Sequence, residues 1–220
     1  MTQGIEHLAR LGRRTQRRAP IALSLAAATS TMLVIQLGVS TVAMRRLVRL
    51  PSGEVTQRSG GFDVPHWAFA VAVSGAALAL MTLVAVLAWA KSAIDAANVA
   101  GVTSTPGWIV WLAPIGPTGI IIVPFVVLIA VRAGRIDCEE LDQEVPAAWL
   151  TWLGMWIGSA SLGAAGILVV ASDGPGPTVS TLVLASGALQ LGAYLLLFAM
   201  IRSATEGVGA WTRALEYDRS

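Results

Sequence analysis

The sequence predicts an all-α integral membrane protein. It has four transmembrane helices and, between the second and third, a proline-broken segment that is re-entrant or half-membrane. Three observations carry this prediction. Charged residues make up 13% of a chain that is 55% hydrophobic, whereas soluble globular chains run near one quarter charged. The charges are also segregated, for residues 21–44, 67–90, 107–131, 147–171 and 178–201 contain none. Runs of about 20 apolar residues match the thickness of a bilayer core. Finally, the distribution of Lys and Arg favours a chain that turns back at the third of those runs.

Residues 1–20 form a basic arm carrying Arg10, Arg13, Arg14, Arg17 and Arg18. Each basic residue beside an anionic leaflet contributes about 1 kcal/mol, so these five are candidate membrane-surface residues and the arm is expected to lie on lipid. The run 21–44 reads as an uncleaved first span, since it is longer than the roughly 7–15 apolar residues of a secretory signal. In the second, 67–90, the continuous apolar stretch Thr82–Ala88 excludes a β-barrel, whose strands alternate in polarity over about ten residues.

The run 107–131 contains Pro114, Pro117 and Pro124 together with Gly116 and Gly119. Each proline removes an intrahelical hydrogen bond and collides with the preceding turn, and broken backbone at membrane depth survives only when buried in protein or lining a cavity. Five full spans with the N-terminus inside would leave 6 basic residues inside and 9 outside, whereas a segment that enters and leaves by one face gives 11 inside and 4 outside. Cytoplasmic loops accumulate Lys and Arg, so four spans with both termini cytoplasmic fit better than the alternative of five.

In the run 147–171, Gly154, Gly158 and Gly163 offer a small surface for close helix packing. Trp149, Trp152 and Trp156 repeat along one helix face, with Trp149 suited to the interfacial aromatic belt. The run 178–201 completes the transmembrane domain, and in the tail 202–220 Val208, Trp211 and Leu215 fall at helical spacing.

A set of short motifs is shared with a known architecture. Leu87-Ala88-Trp89 closes the second span and Ala96-Ala97-Asn98 follows on what reads as a short helix. Pro106-Gly107-Trp108 and Trp111-Leu112-Ala113-Pro114-Ile115 come next, then the tryptophan-rich start of the following span. This order resembles an actinobacterial four-span membrane domain family of unknown function, whose members carry a Trp-Phe-x-Pro motif after the second span. The resemblance covers roughly residues 67–165. Leu112 stands where the family has Phe. The resemblance implies architecture and no chemistry.

Little in the chain points to catalysis. Ionisable residues inside spans mark pumps and proton relays, and the four predicted spans contain no charged residue or His. The intramembrane amides Gln36 and Gln190, with Pro114, Pro117 and Thr118 of the broken segment, are candidates for a cavity or for helix packing. Counted from the ends of their runs at about 1.5 Å per residue, the two amides lie at different depths. His7 and His66 are too far apart in the topology to act together. The acidic group Asp137, Glu139, Glu140, Asp142 and Glu144 lacks the spacing of a calcium loop, and Cys138 is the single cysteine.

The expectation is therefore a protein without cofactor or metal that is not an enzyme: an interaction, scaffolding or regulatory subunit of a bacterial cell membrane. The alternative is a small-molecule or lipid-handling protein with a cavity at the broken segment. Expected partners are the bilayer, anionic lipid headgroups through the arginines, and a membrane protein or second copy, with no nucleic acid.

Overall fold

A computed structural model describes residues 2–48, 66–101, 104–112, 119–134, 147–171 and 176–217. The elements are α1 (Thr2–Val48), α2 (His66–Val99), a 3₁₀ turn (Gly107–Leu112), α3 (Gly119–Ala133), α4 (Ala147–Ala171) and α5 (Gly176–Tyr217). No strand occurs among the described residues. Four helices are long and apolar enough to cross a membrane, where a helix satisfies every backbone group internally. The chain is thus a multi-pass α-helical membrane protein.

The long helices stand in a row, α2–α1–α5–α4. Neighbours are antiparallel. In α1 and α2, Thr29 Oγ1 and Thr82 Oγ1 are 2.6 Å apart and Gln36 Nε2 donates to the Val71 carbonyl at 3.2 Å. Between α1 and α5, Gly12 faces Thr212 and Gly187 faces Leu37. Between α4 and α5, Ser186 Oγ donates to the Ser159 carbonyl at 2.9 Å. Among the described residues the ends of the row, α2 and α4, are at most weakly in contact.

α1, α2 and α5 run well past their apolar runs at the end that carries the basic arm. The arm is not a separate segment but continues α1 without a break through Pro20. The reason is a second periodicity hidden among the arginines. Leu8, Leu11, Thr15, Ala19, Ala22 and Ala26 are buried at spacings of three and four, a helix-packing seam. Its partner is the tail, where Val208, Trp211 and Thr212 are buried on α5 and Gln16 lies against Gly209. No separate helix holds Ala96-Ala97-Asn98 either, because α2 is continuous to Val99.

One level of the bundle is marked by charge. Arg18 Nη1 donates to the Ala88 carbonyl at 2.8 Å, and Trp89 Nε1 donates to Thr205 Oγ1 at 2.9 Å. Lys91 and Arg202 each lie within three residues of these contacts, or about 5 Å along the axis. This level limits the apolar part of the bundle at its basic end.

α3 lies between the two ends of the row, against α2 and α5. Its 15 residues span about 22 Å, short of the roughly 30 Å of a hydrocarbon core. Its C-terminal end points to the basic end, for Trp211 Nε1 donates to the Ala133 carbonyl at 3.1 Å, and Gly134 touches Ala204 and Gly207 of α5 backbone to backbone. Trp149 is buried and donates to the Pro124 carbonyl at 3.0 Å rather than facing an interface. Among the described residues the exposed tryptophans are instead Trp108 and Trp111, on the 3₁₀ turn beside Lys91 and Asp95. The third apolar run, 107–131, therefore supplies a half-membrane helix.

Since α2 ends and α4 begins at the basic end, positions 104 and 143 should share one side of the membrane. Ser104→Cys and Gln143→Cys, each in a background without Cys138, should give the same labelling by an impermeant thiol reagent in intact cells. Opposite labelling would mean that residues 107–131 cross completely.

Candidate functional site

Because α3 fills only the basic half of the gap between α2 and α4, the described residues leave a cleft in the other half, within the membrane-spanning part. One cavity there, of about 340 Å³, is lined by α2, α3, α4 and α5. Leu83 and Val86 come from α2, Val123 and Val127 from α3, and Trp152 and Trp156 from α4. Trp152 is almost wholly buried and Trp156 half-buried, and their rings stack at 5.8 Å between centroids and 28° between planes. Offset stacking of this sort adds about 0.5–1.5 kcal/mol beyond area burial and fixes a flat aromatic wall.

Two further cavities adjoin it. One of about 270 Å³ lies among α1, α2 and α5 and is bordered by Thr29, Gln36 and Gly75. Another of about 430 Å³ lies between α4 and α5, bordered by Ser159, Gly163 and Ser186. Gln190 borders all three, and Tyr194 borders two of them. They stand four residues apart, on one face of α5.

The two amides that depth counting kept apart thus share a cavity. The counting took the ends of the apolar runs as level, but the helices are staggered. Leu37, next to Gln36, sits on Gly187, three residues from Gln190. The Gln36 side chain occupies space that any side chain at position 75 would fill, which explains the glycine there. Pro114, Pro117 and Thr118 lie outside the described residues. So do Cys138 and the acidic group Asp137, Glu139, Glu140, Asp142 and Glu144.

The glycine surface on α4 divides. Gly158 lies against Leu189 and Gly163 near Ser186, but Gly154 is exposed, with nothing within 4 Å. Met155 packs on Gly192 of α5, and Gly154 is turned about 100° away from it around the helix. Gly158→Leu should overpack the α4–α5 contact at a cost of roughly 1–3 kcal/mol, read as a lower melting temperature in detergent. Gly154→Leu should leave that temperature unchanged or raise it, since leucine is the better helix former.

The five arginines also separate. Arg18 is half-buried and bonded to α2, and Arg10 Nε donates to the Glu6 carbonyl at 3.2 Å. Arg13, Arg14 and Arg17 are exposed on the side of α1 opposite the seam. Arg14 and Arg17 stay within about 6 Å of the Arg18 level, whereas Arg10 stands about 12 Å beyond it.

Sequence reasoning missed Tyr194, Thr82 and the stacked pair as cavity walls. The position of Tyr194 four residues after Gln190 was the one available signal. Among the described residues no three His, Cys, Asp or Glu side chains gather to hold a metal ion, and no charged side chain lines the three cavities. What the arrangement offers is a neutral space with an aromatic wall and a few hydrogen-bonding groups. No protein-family model matches the chain, and neither a curated protein nor a solved structure shows a match to it.

Proposed function

We propose that the protein is a non-catalytic membrane protein that holds an apolar small molecule or lipid in this cleft. It does so in a bacterial cytoplasmic membrane, with both termini cytoplasmic. The observation that carries the reading is the convergence of Gln190, Tyr194 and Thr82 on one apolar cavity, with Gln36 on its neighbour. Ligand sites are concave, mostly apolar and furnished with a few placed polar groups. Native mass spectrometry of the protein released from mild detergent tests it. The parent should retain a non-protein mass that Ala79→Trp loses while staying folded, because Ala79 borders two of the cavities. A parent without bound mass, or a variant that keeps it, would overturn the reading.

The paired extensions of α1 and α5 support a second reading, that of an interaction or regulatory subunit. They project beyond the Arg18 level with Arg10, Arg13 and Arg14 exposed, a surface suited to anionic headgroups or to an acidic partner.

A further inference from the structure

We infer that the cleft takes an uncharged, membrane-dissolved ligand built of a flat ring with carbonyl oxygens and a hydrocarbon tail. The inference rests on the proposed ligand-holding function and narrows it to one chemical class.

Charge is decided by the walls. Among the described residues no Asp, Glu, Lys, Arg or His lines the cavity beside Trp152 and Trp156, and an unpaired charge at membrane depth is costly, so an ionised ligand finds no partner. The polar groups that are present decide the functional group. A glutamine amide carries two N–H donors and a tyrosine one O–H donor. Even a hydrogen bond between Gln190 and Tyr194, four residues apart on one helix face, would use only one of these three. Two donors remain for a guest, and their complement is an oxygen acceptor without charge. Thr82 adds little, because its hydroxyl already serves the Leu78 carbonyl and Thr29.

Shape follows from the opposite wall. Trp156, stacked on the buried Trp152, is half-buried and borders the cavity, so a planar ring can lie beside it as a further stacked partner. The remaining walls are aliphatic, with Val123 and Val127 at the α3 side. Among the described residues α2 and α4 are at most weakly in contact, and the tail is assigned to the space between them, toward the hydrocarbon. The apolar face left between these helices is thus matched to one occupant by hydrogen-bond complementarity.

The test uses the full-length protein in phosphatidylcholine nanodiscs, titrated with decyl-benzoquinone while tryptophan fluorescence is followed. A quinone dissolved at random in the lipid quenches without saturation, whereas a bound one saturates. Saturable quenching is expected, with about tenfold weaker binding in Gln190→Leu, the equivalent of roughly 1.4 kcal/mol and of one hydrogen bond. Tyr194→Phe, which keeps the ring and removes the hydroxyl, should weaken binding in the same direction.

Decylbenzene, which lacks the carbonyls, serves as competitor. If it restores the fluorescence at concentrations similar to those at which the quinone quenches, and both variants bind like the parent, the cleft holds an apolar guest without reading carbonyls. The inference then fails while the proposed function stands. If quenching never saturates and no competitor has an effect, the inference fails, and the retained mass in native spectra decides the proposed function separately.

Discussion

Replacing Gly207 by alanine should lower the melting temperature by roughly 5–10 °C, the equivalent of about 2–3 kcal/mol in a chain of this size. A methyl group at this position would run into the carbonyl of Gly134. The obstacle is backbone rather than the end of a flexible side chain, so rotamer changes cannot relieve it. Gly134 is in turn pressed against Ala204, so the C-terminal end of α3 has to lift off α5. Lifting breaks the bond from Trp211 to the Ala133 carbonyl, and the fluorescence of Trp211 in a variant with that residue as its single tryptophan should shift before global unfolding. Gly38→Ala is the control. A methyl group at Gly38 would meet nothing within 4 Å among the described residues, and alanine is the better helix former by up to about 1 kcal/mol, so no loss is expected. Equal melting of Gly207→Ala and parent would show that α3 does not dock as described.

Trp89→Ala should be the most damaging side-chain truncation, costing about 3–5 kcal/mol. Trp89 is fully buried where α1, α2 and α5 meet, and its indole N–H donates to Thr205. The cavity left behind would sit beside the Arg18 contact to Ala88, so that contact should loosen as well. Trp89→Phe and Thr205→Val separate packing from hydrogen bonding. The double variant should lose less than the sum of the singles, by about 0.5–1.5 kcal/mol. Strict additivity would mean that the hydrogen bond contributes nothing and that only volume matters.

The membrane-crossing part of the fold is legible because one physical demand dominates it. Charge has to leave the hydrocarbon, and the five charge-free runs record that directly. Prolines 114, 117 and 124 with the arginine distribution then pick out the run that does not cross.

Beyond the apolar limit this demand lapses and the signal weakens. The seam of Leu8, Leu11, Thr15 and Ala19 is diluted by five arginines, so the arm reads as a surface-binding segment rather than half of a helix pair. Trp211 is conspicuous in the tail, but its partner carbonyl at Ala133 is 78 residues away and leaves no trace in local pattern. The cleft is hidden for a related reason. Gln36, Thr82, Gln190 and Tyr194 lie on three helices, and their meeting depends on stagger. Stagger is set by close contacts such as Gly187 against Leu37, not by where each apolar run starts. The glycines that matter most, Gly134 and Gly207, stand in no spaced motif. Gly154, which does, turns outward.

The pairing of the first helix with the last has a consequence for synthesis. Translation proceeds at roughly 5–20 residues per second, so α1 waits about 10–30 s after leaving the ribosome before α5 exists to cover its seam. During that interval Leu8 and Leu11 lie bare at the membrane edge, open to whichever insertase or chaperone attends the nascent chain. Only α2 can shelter the deeper part of α1 in the meantime. α3 waits too, since the indoles that latch its two carbonyls arrive with α4 and then α5. Assembly of the described helices thus waits for α5, and a ribosome that stalls before residue 200 would release an unfinished arc with both α1 and α3 unclasped. Such truncated chains should be the preferred prey of membrane quality-control proteases.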